Sequence, residues 1–166
     1  IKDVQESKKG DIWYIGNTLL QRYDPVTGDT RLYDPASYFS VTALCLAADS
    51  SLWVATTGGT LEKYDQSHDV FKGYNLFAGQ QAVLSTWISS LEATPGGQLL
   101  VGTPLYGARL FDPATGRFTL LPIYNADGSN IYVRDFLCYS DQEYWIASET
   151  GIFVYDPQTQ HSAHLQ

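Results

Sequence analysis

Methionine is absent from the 166 residues, even at position 1, and basic residues are scarce, with 10 Lys and Arg set against 18 Asp and Glu. The resulting net charge of −8 repels phosphate backbones and anionic lipid, which argues against nucleic acid as a partner. No run approaches the roughly 20 consecutive apolar residues of a membrane-spanning helix, so no membrane contact by this segment is expected. A charged-then-apolar leader is also missing, and with the missing Met this predicts a piece excised from a longer chain. The only cysteines, Cys45 and Cys138, lie far apart in apolar surroundings without a CxxC or Cys/His neighbour. They read as buried free thiols. The chain also lacks any helix-period segment of useful length, and it contains no G-x-S-x-G, H-E-x-x-H or phosphate-cradling P-loop. No catalytic motif and no cofactor is therefore predicted.

What the chain does contain is aromatics (4 Trp, 12 Tyr, 7 Phe), 14 Gly and a fourfold repeat. Trp13, Trp53, Leu100 and Trp145 recur at intervals of 40, 47 and 45 residues. Ten or eleven residues after each stands an aromatic followed at once by Asp: Tyr23-Asp24, Tyr64-Asp65, Phe111-Asp112 and Tyr155-Asp156. Twelve residues before each anchor lies a β-branched residue (Ile1, Val41, Ile88, Val133), with an apolar one three further on (Val4, Leu44, Leu91, Phe136). Each unit resolves into four short strands, as in VTALCLA, LWVAT, TLEKYD and VFKGY. Between the third and fourth strands, Asp24-Pro25-Val26-Thr27-Gly28 and Asp112-Pro113-Ala114-Thr115-Gly116 read as capped hairpin turns rather than calcium loops. Asp156-Pro157-Gln158-Thr159-Gln160 repeats that turn without its Gly.

Four-stranded units of about 40–45 residues are the signature of a β-propeller. The predicted fold is all-β, a segment of four blades, each a four-stranded antiparallel sheet. The units are 1–40, 41–87, 88–132 and 133–166. The Trp on each second strand is placed between blades, so the core is a stack of blade faces, each buried only by its neighbours.

The pattern V-x-x-L-x-x-x-x-x-G-x-L-W-I-G-T-x-x-G-G-L-x-x-Y-D, present here as Val41 through Asp65 and more loosely in the other three units, resembles the two-component regulator propeller repeat. That repeat is typical of the sensor region of hybrid two-component system histidine kinases of Bacteroidetes. The resemblance implies a periplasmic ectodomain that responds to a ligand, typically carbohydrate, with any histidine kinase lying outside this chain. Leu100 and Pro104 make the third unit the least typical.

Candidate ligand residues come from the uneven part of the repeat, because extra length in regular blades must fall in loops that share one face. The connections 34–40, 75–87 and 123–132 hold Tyr38, Asn75, Trp87, Tyr124, Asp127, Asn130 and Tyr132, and the turn between second and third strands of unit 3 adds Tyr106. Aromatic faces beside amides and carboxylates suit a sugar, whose C–H face stacks while its hydroxyls take directional hydrogen bonds. The first strand of each unit is expected to line a central channel, with polar or small residues at Lys2-Asp3, Thr42-Ala43, Ser89-Ser90 and Arg134-Asp135. Of these, Arg134 and Asp135 join the candidate list. No metal site is predicted, since His161 and His164, three apart on a strand, point to opposite faces.

The leading reading is a non-catalytic sensor segment that recognises an oligosaccharide or other small ligand. The alternatives are a structural or dimerisation segment without its own ligand, and a lyase-type propeller enzyme. Four blades also raise the expectation of a homo-oligomer, or of missing blades in a parent chain. Apolar faces left without a neighbour on units 1 and 4 are expected around Val4, Trp13, Phe136 and Trp145.

Overall fold

A computed structural model describes residues 2–166, so Ile1 lies outside the described residues. Sixteen strands form four separate four-stranded antiparallel sheets, each built from strands consecutive in sequence. Blade 1 is β1 (Val4–Glu6), β2 (Ile12–Gly16), β3 (Leu19–Tyr23) and β4 (Thr30–Tyr33). Blade 2 is β5 (Val41–Leu46), β6 (Leu52–Thr56), β7 (Thr60–Asp65) and β8 (Val70–Asn75). Blade 3 is β9 (Ser90–Ala93), β10 (Leu99–Gly102), β11 (Ala108–Asp112) and β12 (Arg117–Leu120). Blade 4 is β13 (Val133–Ser140), β14 (Glu143–Ser148), β15 (Gly151–Asp156) and β16 (His161–Leu165). These are propeller blades, as the repeat predicts.

The hairpin turns between third and fourth strands follow the expected chemistry. The Oδ1 atoms of Asp24, Asp65, Asp112 and Asp156 each accept a backbone N–H two residues on, at 2.8–2.9 Å. Each turn then passes through one left-handed residue, Gly28, Asp69, Gly116 or Gln160. In the fourth turn a residue with a Cβ takes the conformation that Gly takes in two of the others.

Strand alternation gives every blade two faces, and one rule governs how they meet. The anchor residue of each blade points toward the following blade, and the aromatic at the end of the third strand points toward the preceding one. The Trp13 ring therefore lies 4.9 Å from Tyr64, and Trp53 lies 5.3 Å from Phe111, both edge-to-face. Leu100 occupies the same place against Tyr155 in the third interface. The buried apolar residues fall accordingly into three clusters, one per interface, rather than one central core. The inner strands β1, β5, β9 and β13 carry the contacts between successive blades. Among the described residues, no strand pairing and no extensive strand contact joins blade 4 to blade 1.

This rule corrects two expectations about the free faces. Trp13 and Phe136 are both buried, because Trp13 faces blade 2 and Phe136 faces blade 3. The uncovered faces are those of Val4, Tyr14, Tyr23 and Leu32 on blade 1 and of Leu137, Trp145, Ile152 and Leu165 on blade 4. A third correction concerns the thiols. Cys45 is buried, but Cys138 is only half-buried, near the end of β13, where its thiol lies 3.3 Å from the Ser140 carbonyl. Burial raises the thiol pKa of both, that of Cys138 to about 11, so neither is a ready nucleophile.

Candidate functional site

The polar positions of the inner strands owe their placement to a feature that residue types alone do not reveal. In β5 the pairing skips between Val41 and Ala43, and in β13 between Val133 and Asp135, so Thr42 and Arg134 are bulged out of the ladder. The Arg134 guanidinium sits 5.0 Å over the Tyr132 ring. Asp3 works across an interface, its Oδ2 accepting the Leu44 N–H at 3.2 Å. Asp135, its counterpart, accepts the Phe136 N–H at 2.9 Å and borders the uncovered face of blade 4. Glu92, half-buried on β9, has its carboxyl raised above the usual range, chiefly by burial and further by Asp135 and Asp3.

The rim formed by the connections into each next blade is densest between blades 3 and 4. Tyr124 and Asn130 pair as an isolated β-bridge that closes the β12–β13 connection on itself. Asn125 Nδ2 donates to Glu149 Oε1 at 3.0 Å, and Thr150 Oγ1 donates to Asn125 Oδ1 at 2.8 Å. Glu149 Oε2 accepts the Tyr132 N–H at 2.7 Å. On the other side, Asn130 Nδ2 donates to the Leu105 carbonyl at 3.2 Å. The side chains of Tyr124 and Tyr132 remain exposed above this lattice. The Tyr106 side chain turns away from it into the interface between blades 2 and 3, edge-to-face with buried Phe77 at 5.4 Å, its hydroxyl accepting the Leu84 N–H at 2.9 Å.

The structure thus gathers Tyr124, Asn130, Tyr132 and Arg134 around one junction, with Tyr106 on the neighbouring one between blades 2 and 3. The remaining candidates lie elsewhere. Trp87 is exposed at the end of the connection from blade 2 to blade 3. Asn75 caps the start of that connection through Oδ1 and the Phe77 N–H at 2.9 Å. Asp127 closes the turn ahead of Ser129, whose N–H and hydroxyl it binds at 2.9 and 2.6 Å. Tyr38 stands fully exposed on left-handed backbone at the blade 1–2 rim.

Arg109, in register with Val101 on the face of β11 that turns toward blade 2 and within electrostatic reach of Tyr124, is not singled out by the sequence. Its Nη1 donates to the Tyr106 carbonyl at 2.5 Å, no carboxylate lies within 4.0 Å among the described residues, and burial lowers its pKa. A half-buried cation with one carbonyl partner and unused donors is suited to an incoming anionic or hydroxyl group. The repeat does carry a signal, since Gln21, Glu62 and Phe153 occupy the same register position. On the opposite end of the sheets, a cleft of about 350 Å³ between blades 1 and 2 is lined by Lys8, Asp11, Trp13, Asp49, Ser51 and Tyr64.

The histidines are individually engaged. His68 Nδ1 is 2.6 Å from Asp65 in an exposed turn. His164 stacks on Phe153 at 4.1 Å with Nε2 3.0 Å from the Thr150 carbonyl. His161 is exposed on the outermost strand, pairing with Asp156 across the ladder.

No family model matches the chain, and no curated protein matches it. Solved structures do. The extracellular domain of BT3049 of Bacteroides thetaiotaomicron, assigned to a hybrid two-component system, superposes with a TM-score of 0.73 at 18% identity over 98% of this chain and 24% of its own. The extracellular domain of BT4673 of the same organism, assigned to a one-component system, gives 0.74 at 19% identity over 99% and 24%. Virginiamycin B lyase of Staphylococcus aureus gives 0.75 at 14% identity over 98% and 54%. The chain therefore spans about a quarter of the two ectodomains and about half of the lyase, and shares their fold.

Proposed function

We propose that this chain is a four-blade stretch of a periplasmic sensor ectodomain that binds an oligosaccharide on the rim between blades 3 and 4 without turning it over. The observation that carries the reading is the junction itself. Exposed Tyr124 and Tyr132 stand over a lattice of Asn125, Asn130, Glu149 and Thr150, whose side chains are held by hydrogen bonds before any ligand arrives. A pre-ordered polar floor beside aromatic faces lowers the ordering cost of binding. The fold shared with two sensor ectodomains supports the sensor class, and the Val41–Asp65 repeat supports the same lineage.

Titration against a panel of neutral and uronate-bearing oligosaccharides, followed by calorimetry, tests it. Tyr132→Ala and Arg109→Gln are expected to weaken a cognate glycan at least tenfold with melting temperature retained. Normal binding by both variants, or no binding by any glycan, would overturn the placement. The lyase-type reading draws on the likeness to virginiamycin B lyase, and chromatography of the same mixtures separates it, since an enzyme leaves product and a sensor returns the glycan intact.

A further inference from the structure

At the ends of the sheets opposite the rim, successive interfaces are closed differently. Between blades 3 and 4, Asp141 stands four residues before the anchor Trp145, and its Oδ1 accepts the Gly96 N–H at 2.8 Å. Gly96 stands four residues before Leu100, so two turns are latched at matching positions. Between blades 1 and 2 the matching residues are Lys9 and Asp49, and no hydrogen bond or ion pair joins them among the described residues. Asp49 is instead engaged by its own turn, its Oδ1 accepting the Ser51 N–H at 2.9 Å and the Ser51 hydroxyl at 2.5 Å. The cleft of about 350 Å³ lies at this unlatched place. Its size is at the small end of ligand pockets, which run from roughly 300 to 1,000 Å³.

The groups around the cleft are left without partners. Lys8, Lys9, Asp11 and Asp49 all line it, yet the ion pairs among the described residues are Arg31–Asp69 and His68–Asp65. Two cations and two carboxylates thus border one cavity with no pairing within 4.0 Å. The bonds from Ser51 lower the Asp49 pKa, so this carboxylate keeps its charge. The anchors tell the same story. The Trp53 indole N–H donates to Ser51 Oγ at 3.0 Å and that of Trp145 to Glu143 Oε1 at 2.6 Å, each acceptor two residues before its Trp. Asp11 holds that position before Trp13, but the Trp13 indole N–H donates to neither Asp11 nor any other described residue, although the side chain is 2% exposed. The Ser7 hydroxyl, in the same lining, is buried and likewise without a partner. Polar groups left in this state are costly, and a ligand that pairs with them relieves the cost.

We propose that this cleft is a second binding site, separate from the rim between blades 3 and 4, and that it takes a small zwitterion, an α-amino acid. Its carboxylate is received by Lys8, Lys9 and the Trp13 indole N–H, all of which only donate. Its ammonium group is received by Asp11 and Asp49, which only accept when ionised. A ligand of one sign would pair with half of these charges and be repelled by the other half, and a neutral sugar would neutralise none of them. The bound amino acid joins the turn of blade 1 to the turn of blade 2, the span that Asp141 closes directly between blades 3 and 4.

Isothermal titration of the chain with the common α-amino acids, each beside its N-acetyl derivative and its amide, is the test. At least one amino acid is expected to bind one to one. N-acetylation removes the ammonium charge and amidation the carboxylate, and each is expected to weaken binding at least tenfold. Lys9→Gln and Asp49→Asn, both at exposed turn positions, are expected to weaken it at least tenfold with the melting temperature unchanged. Trp13→Phe, which keeps an aromatic ring without the N–H, is expected to weaken it as well. Should that variant fold poorly, the two turn variants carry the test. A chain that binds no amino acid at millimolar concentration overturns the proposal. Equal binding of the N-acetyl derivative or the amide, or full binding by Lys9→Gln and Asp49→Asn, overturns it equally.

Discussion

Gln160 holds the fourth hairpin turn in the left-handed conformation, φ 57°, that costs a residue with a Cβ about 1–2 kcal/mol. Gln160→Gly should raise the melting temperature by a few degrees, and a differential scan that shows no rise would place the strain elsewhere. The second turn uses Asp69 at the same place, and there the same replacement should destabilise. Asp69 Oδ1 accepts the hydroxyls of Tyr33 and Tyr64 at 2.9 and 2.7 Å and pairs with Arg31. Glu92 makes a pH-dependent contribution. Its folded pKa is raised, so the native state binds its proton more tightly than the unfolded chain does. That contribution is fully present below the unfolded value of about 4.3 and is lost as pH rises through the folded value. Glu92→Gln should therefore raise the melting temperature at pH 7, with the gain over wild type vanishing toward pH 4. A pH-independent gain would point to packing instead.

The blade interfaces divide the anchors into two energetic classes. Trp53 is fully buried between Tyr74 and Phe111, and Trp53→Ala should cost about 3–5 kcal/mol and unfold or aggregate the chain. Trp145→Ala, at the uncovered face, should cost under about 1 kcal/mol in a dilute monomer. Equal losses in urea titrations of the two variants would contradict the facing rule. The repeat made the strands legible, because alternation, the Trp anchor and the Asp-capped turn are local properties. Which face each anchor takes was not legible for Trp13 and Phe136, since period-2 alternation distinguishes two faces without saying which neighbour lies on which side. The bulges at Thr42 and Arg134 were hidden for a related reason. A bulge changes register by one residue without changing residue type. For the candidate junction, loop length and aromatic content single out Tyr124, Asn130 and Tyr132, which the fold brings together, whereas Tyr106, chosen on the same grounds, packs into the interface between blades 2 and 3. Arg109 escaped notice because it sits inside a regular strand, where its lack of a carboxylate partner is visible only in three dimensions.

At the scale of the whole molecule, stability is distributed along a line of blades. β6 and β10 are buried along their whole lengths, whereas β1 and β16 alternate with exposed positions at the two ends. In such arrays each unit leans only on its neighbours, so opening should proceed from the ends. Amide exchange is expected to be slowest in β6 and β10 and fastest in β1 and β16. Uniform protection across the four sheets would contradict a stack that opens from its ends.

Every sheet being made from consecutive strands has a consequence for how the polypeptide can be divided. No ladder borrows a strand from a distant stretch of chain, so the covalent link between blades is a tether and not a seam. A cut in the 76–89 connection leaves two fragments whose sheet ladders are all complete, with the Ile88 N–H to Thr56 carbonyl bond among the few backbone links that would span the break. What they lose is only their mutual proximity, and the Trp53–Phe111 contact is the surface by which they would find each other again. The molecule is in this sense already an assembly of parts, held on one string.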